Sequence, residues 1–585
     1  MNRKSGVLFL LFASGALAAV LPSALREADR ACTLWRGGGA ENTGPERVAF
    51  GGFVRSGSRL HLIVSETPGA ESEERARWQE FAWITSPAAP SRGTESGGVP
   101  EGANFVIAPD GNGHVPACCR SDDWVKAASC EETARGLWRR NARDSAPNPG
   151  DCPVPAWREA TGLLPLLLVG AAGLWTGGGA GCALFLFLFS LAMTLPPFAG
   201  FPVGPLCVSL AAIGSVAFGV RLVPKQEPHR DTLGRLRFCL TALLFVFLSF
   251  LALSHPFLSP NGLAVVGGRA KLWHLAGGFP DGYFETDVWR FQEPAYPPGP
   301  AALALSCFAF AGGSGEWLTQ LAGCAATALL FALIASGFDG PPSRRLAGAL
   351  WALALFLHPV SLKMGSQLYP EPLAALCVAA GLLRIAGNSR RDDFLGWLLL
   401  GASAWFKTEG FVFAIAGWCA FGSGIRRKAV FPLVVGLAPA IAWHVGVRLA
   451  GGGFNDVAPL WRPDCAKGFA ALAKAFRLAF AEPWRYGFAH PVAIAAAGWS
   501  AAARLSRKQN GATACGIRND PFPVLIRALA FCFLCMAAFA WLLACSRAPD
   551  FDWHVSTSLP RLLWTPAVAI IILLSCERFE SHRRP

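Results

Sequence analysis

Three polar clusters interrupt the apolar runs that follow residue 160, and their residue types suit chemistry on a hydroxyl beside a phosphate. The first, 255–300, holds Asp281, Glu285, Asp287 and Glu293 among His255, Arg269, Lys271 and His274, and it closes on Tyr296-Pro297-Pro298-Gly299-Pro300. A carboxylate in that company could act as a general base. The plainer reading is a solvated loop whose acids keep it out of lipid. The second cluster is the tight turn Lys407-Thr408-Glu409-Gly410. There a lysine could meet a phosphate while the glutamate orients it or binds an acceptor, or both could simply be solvated. The third runs from Asp552-Trp553-His554 through Ser558 to Arg561, which either snorkels to lipid headgroups or grips a substrate phosphate. A further polar turn is flanked by His358-Pro359 and by Tyr369-Pro370-Glu371-Pro372.

These clusters need elements to hold them, and the composition names the kind. Apolar residues make up 53% of the 585-residue chain and charged ones only 16%, with apolar runs recurring from Thr161 to Cys576. That pattern predicts an α-helical polytopic membrane protein of about 13–14 transmembrane helices. Fourteen spans are expected near 7–22, 161–178, 181–197, 203–223, 238–254, 317–337, 347–363, 371–387, 393–405, 410–424, 429–449, 488–504, 524–545 and 560–576. The basic stretches Arg3-Lys4, 221–237, Arg344-Arg345, Arg390-Arg391, Arg426-Arg427-Lys428, 504–518 and 578–584 then all fall on one side, the cytoplasmic one. This parity holds only if 300–313 does not cross, so it is expected to be a juxtamembrane or re-entrant helix. All three polar clusters land together on the opposite rim, where charge is costly and needs a reason. The net charge of +13 is then topological and gives no case for nucleic-acid binding.

The chain divides into residues 1–30, a signal anchor or first transmembrane helix expected to be retained; 31–160, a small β-leaning extracytoplasmic domain; 161–237, accessory membrane helices; and 238–585, the main membrane domain with outer loop 255–300. Alternating stretches at 48–54, 60–65 and 105–108 support the β reading. Cys32, Cys118, Cys119, Cys130 and Cys152 predict two disulfides with one thiol over in an oxidising compartment. A zinc site from His114, Cys118, Cys119 and Cys130 is poorly spaced for the metal. The remaining cysteines lie mostly within predicted helices and should pack like alanine, and many tryptophans fall near predicted interfaces as an aromatic belt. No Walker or nucleotide-binding glycine motif is present, which argues against an ATP-driven pump.

The order of these motifs carries a resemblance. An acidic first outer loop closing on Tyr-Pro-Pro, the Tyr-Pro-Glu turn at Glu371, the Lys-x-Glu-Gly turn at Lys407 and the late Trp-His-x-x-x-Ser-x-x-Arg ending at Arg561 resemble the bacterial GT-C membrane glycosyltransferases, the group of the protein O-mannosyltransferases and the lipid A aminoarabinose transferases. It covers roughly 238–566 and leaves the N-terminal domain outside. The resemblance implies a polytopic protein of the bacterial inner membrane that moves a sugar from a polyprenyl-phosphate donor to an envelope glycan, lipid or protein acceptor at the outer face. Arg561 and Lys407 would bind the donor phosphate, and Asp287, Glu285 or Glu293 would be the base, Asp287 first. Glu409, Glu371, Tyr296, His554 and Asn261 would contact substrate. Such chemistry requires no nucleotide or redox cofactor and leaves a divalent metal open.

Two positions depart from the pattern. Counting back from Arg269-Ala270-Lys271, the family's acid falls on Asn261, which cannot serve as a base at neutral pH, and the position before Tyr296 is Ala295. Either another loop acid has taken the role or catalysis has lapsed. Other readings stay open: an O-antigen-type polymerase or ligase using a lipid diphosphate, or a lipid or sugar transporter. A transporter would place ionisable groups near mid-membrane, where His444 and Arg384 are the nearest candidates, each with a simpler packing or anchoring role.

Overall fold

The computed structural model describes residues 14, 21, 22 and 24–26, five strands within 59–140, and then 162–223, 232–254, 261–280, 282–284, 293–311, 316–338, 342–385, 390–422, 426–452, 463–486, 488–509, 522–546 and 551–575. The strands β1 (Arg59–Val64), β2 (Ala89–Thr94), β3 (Phe105–Pro109), β4 (Trp124–Cys130) and β5 (Arg135–Arg140) form one sheet in the order β2-β1-β3-β5-β4. β1 lies parallel to β2 and β3, and β5 lies antiparallel to β3 and β4. Two of the expected alternating stretches are thus β1 and β3. The expected stretch at 48–54, most of the span 7–22 and the side chains of Cys32, His114, Cys118, Cys119, Cys130 and Cys152 lie outside the described residues.

The rest is helical. In chain order the helices are α1 (Leu164–Phe198), α2 (Pro205–Leu222), α3 (Thr232–Ser254), α4 (Arg269–Ala276), α5 (Gly299–Ala311), α6 (Glu316–Gly337), α7 (Pro342–Phe356), α8 (Pro359–Ser366) and α9 (Glu371–Ile385). They continue as α10 (Arg390–Phe406), α11 (Gly410–Phe421), α12 (Arg426–Leu449), α13 (Cys465–Phe476), α14 (Ala489–Gln509), α15 (Phe522–Ala544), α16 (Phe551–Leu562) and α17 (Trp564–Ser575). Every span expected from residue 161 onward coincides with helix. Among the described residues, seven helices are long and apolar enough to cross a membrane, or eight if a bent pair counts as one span. The tally falls below the expected one because several helices are short: α9 has 15 residues, or ~22 Å at 1.5 Å per residue. Leu206, Leu210, Ile213 and Phe218 of α2 stand 55–72% exposed, whereas α6 and α17 are mostly buried. An apolar outer face of this kind is stable only against lipid. The chain is a helical polytopic membrane protein.

One detail differs from expectation and two refine it. The span 347–363 is two helices, α7 and α8, bent by 76°. Pro359 cannot continue α7, and extended His358 caps α8 by accepting from the amide of Val360 at 3.2 Å. Trp273, Trp351, Trp397 and Trp564 are fully buried in the protein interior. Trp564 and Trp405 are satisfied there by donating to Ser361 Oγ (2.8 Å) and Ser190 Oγ (3.0 Å). Finally, α5, expected not to cross, is buried along nearly its whole length and packs on α1 and α4, so the re-entrant form fits it better than a surface one. The helical cysteines Cys182, Cys307, Cys377 and Cys532 are buried, as a small apolar thiol requires.

Glycine contacts set the helix spacing that matters for the site. A Cβ on Gly396 of α10 would stand 2.8 Å from the carbonyl of Gly381 on α9. On the other flank of α10, a Cβ on Gly436 of α12 would collide with the carbonyl of Leu398. In a membrane, where apolar association has little drive, small residues that let backbones touch do this work. Gly396→Leu is therefore expected to cost about 1–3 kcal/mol by overpacking, read as a lower unfolding midpoint in detergent. Gly498→Leu, with nothing within 4 Å of its Cβ position, should leave the midpoint unchanged.

Candidate functional site

Glu371 opens α9, Lys407 follows the last residue of α10, and Arg561 lies near the end of α16. The close approach of α9 and α10 brings the first two together, and the ion pair of Arg384 with Asp392 ties the other ends of the same helices. Lys407 Nζ donates to Glu371 Oε1 at 3.0 Å, and the Arg561 guanidinium reaches the same oxygen at 3.3 Å. Lys407 also pairs with Glu409 Oε1 at 3.3 Å. Residues 36 and 190 positions apart in sequence thus share one carboxylate.

Burial separates the roles of the two cations. The Glu371 and Lys407 side chains are 1% and 5% exposed, whereas that of Arg561 is 21% exposed. Lys407, expected to bind donor phosphate, has its charge already matched by two carboxylates. Arg561 remains within reach of a ligand. It is held by donating Nε to the carbonyl of Thr557 at 3.0 Å and by lying 5.2 Å over the ring of Tyr369, which is not the posture of a side chain snorkelling to headgroups. Glu371 Oε2, Glu409 Oε2 and Thr408 Oγ1 are buried with no hydrogen-bond partner among the described residues. Such groups are costly unless something satisfies them, and two carboxylate oxygens are natural acceptors for substrate hydroxyls.

The turn at 407–410 has a steric basis. A Cβ on Gly410 would strike the backbone of Ser403 and Ala404, so only glycine lets the chain fold back here. The amide of Gly410 donates to the carbonyl of Lys407 at 2.8 Å, closing the turn that aims Glu409 beside Lys407.

The end of the 255–300 loop seats against the same place. A Cβ on Gly299 would stand 2.6 Å from the carbonyl of Trp405, so the Tyr-Pro-Pro-Gly segment rests on the end of α10. Arg269, fully buried, clamps that segment by donating to the carbonyls of Tyr296 (3.0 Å) and Pro297 (3.4 Å) and to the hydroxyl of Tyr283 (3.1 Å). Its guanidinium also lies 5.0 Å from the Trp273 ring and 5.7 Å from that of Trp443 on α12. Sequence reading used Arg269 only as a landmark, and its clamping role was missed. The spacing of Arg269 and Trp273, four apart on one helix, is the available signal. Burial, and then the charges of Glu409, Glu293 and Glu371, hold the phenol of Tyr296 well above its usual pKa despite the opposing effect of Arg561. Tyr296 is therefore a neutral donor in the same electrostatic neighbourhood as the Glu371 cluster.

Glu293 has φ +46° and Leu368 φ +52°, both in the left-handed region. Glu293 precedes Pro294, and Leu368 sits two residues before Pro370. Each costs on the order of 1–3 kcal/mol unless the surroundings impose it. These two turns present Tyr296 and Glu371, so the strain coincides with the polar cluster. Of the other expected residues, Asp281, Glu285 and Asp287 lie outside the described residues. Asn261 is described only as the first residue of the π-helical turn Asn261–Gly268, and His554 only as part of the backbone of α16. No group of three or more His, Cys, Asp or Glu among the described residues could hold a metal ion.

Comparison of the chain with family models, with curated proteins and with solved structures finds no match.

Proposed function

We propose that the chain is a glycosyltransferase of the bacterial inner membrane that moves a sugar from a polyprenyl-phosphate donor to an envelope acceptor at the outer rim. The observation that supports this most is the convergence of Lys407 and Arg561 on Glu371, with unpartnered carboxylate oxygens and the loop end at Tyr296 beside them. Cations suit a departing phosphate, and the carboxylates suit sugar or acceptor hydroxyls. In the reaction the acceptor oxygen bonds to the anomeric carbon as that carbon's bond to the phosphate oxygen breaks. The hydroxyl proton passes to a loop carboxylate, and polyprenyl phosphate leaves with the bonding pair. Arg561 meets its charge, while Lys407 holds Glu371 and Glu409 in place.

Membranes containing the protein, given radiolabelled polyprenyl-phosphate sugars, should transfer label to an envelope fraction, and membranes lacking it should not. Loss of the Arg561 contact is expected to lower transfer about 10- to 100-fold, since a charge-assisted hydrogen bond is worth ~1.5–3 kcal/mol. Arg561→Lys should already be impaired, because a point charge replaces a planar fork. Full activity in correctly folded Arg561→Ala would remove this residue from the site.

A further inference from the structure

A cavity of about 620 Å³ opens between α13 and α16. Its lining includes Lys474, Arg477, Arg485, Glu482, Ser556 and Pro560, the last adjacent in sequence to Arg561. Three cations face one carboxylate, so the cavity carries a surplus of positive charge. The π-helical turn Arg477–Ala481 and the 3-10 turn Pro483–Tyr486 supply the arginines. Lys474 Nζ donates to Ser556 Oγ at 2.7 Å, fixing α13 to α16. Glu482 is engaged tightly by Arg485 and only loosely by Arg477, at 3.9 Å. Arg477, 76% exposed, keeps its guanidinium largely unspent at the mouth.

The surroundings indicate what kind of anion enters. α13 is strongly amphipathic: Ala471 and Ala475 are buried, while Phe469 and Phe476 stand exposed, as does Trp484 next to Arg485. Exposed aromatics alternating with Lys467, Lys474, Arg477 and Arg485 are the pattern of a segment lying at the membrane interface, with its cations at headgroup depth. We infer that this cavity binds the phosphate headgroup of a membrane lipid, with Lys474, Arg477 and Arg485 on the phosphate and the acyl chains along Phe469, Phe476 and Trp484. The binding is independent of the glycosyl-transfer reading and requires no catalysis.

Native mass spectrometry of the full chain released from nanodiscs tests it. Nanodiscs of phosphatidylglycerol mixed with phosphatidylcholine should give a protein that retains phosphatidylglycerol selectively. Arg477→Gln together with Lys474→Gln should lower that retention at least about tenfold, the scale of one lost charge-assisted contact. Arg477→Gln alone, at an exposed position where folding is not at stake, should lower it in the same direction, and Arg477→Lys should restore part of it. Equal retention of the two lipids by the parent would overturn the inference. So would parental retention by a folded Arg477→Gln protein. Millimolar inorganic phosphate is the remaining arm: failure to displace the lipid supports a headgroup held with its tails, and complete displacement shows a site for soluble phosphate instead.

Discussion

Glu371→Ala should be among the most destabilising single substitutions in the chain, costing about 3–5 kcal/mol, the usual penalty for stripping one partner from a buried ion pair. The reason is geometric. One oxygen of Glu371 answers both Lys407 and Arg561, and the lysine is too buried to recover its hydration. Removing the carboxylate leaves Lys407 with Glu409 alone and Arg561 with only a carbonyl and a ring. The measurement is the unfolding midpoint in detergent, compared across variants since membrane proteins commonly unfold irreversibly. Glu371→Leu with Lys407→Met should be more stable than Glu371→Leu alone, because no uncompensated lysine remains. A Glu371→Ala midpoint equal to that of the parent would mean that the cluster carries little of the fold.

The second large effect concerns the base. Reading the sequence put Asp287 first among the loop acids. Glu293 is the loop acid among the described residues: it sits in a left-handed turn whose carbonyl accepts from the amide of Tyr296 at 2.8 Å, and its charge acts on Tyr296 together with those of Glu409 and Glu371. Glu293→Gln is expected to lower transfer by at least about a hundredfold, the lower end of general-base assistance, with donor binding nearly unchanged. Asp287→Asn and Glu285→Gln are the companion variants. Parental rates in all three would exclude these three acids as the base. Asn261→Asp should be tolerated or activating, since it restores the acid that the resemblance implies. Transfer by Asn261→Asp from an inactive parent would identify a catalytically lapsed relative.

Hydropathy along the chain was enough to locate every described membrane helix, because the cost of an unsatisfied backbone in lipid acts on each apolar run separately. The Lys407–Gly410 turn and the polar Tyr369–Pro372 turn were likewise legible, being local interruptions of those runs. The 76° bend at His358 was half visible, in the proline but not in the angle. What the sequence could not tell was which charges meet. In sequence Lys407 reads equally well as a solvated turn residue or a phosphate ligand, since its burial and pairing depend on how closely α9 approaches α10. Arg561 could not be matched to Glu371 across 190 positions by any periodicity. The Glu371–Lys407 partnership depends on the close approach of α9 and α10 at Gly381 and Gly396, whose missing side chains let two backbones touch. Apolar pattern is a property of a window of residues and so is written in the sequence. An ion pair between distant helix ends is a property of their separation, to within an ångström or two, and only the packed tertiary structure decides it.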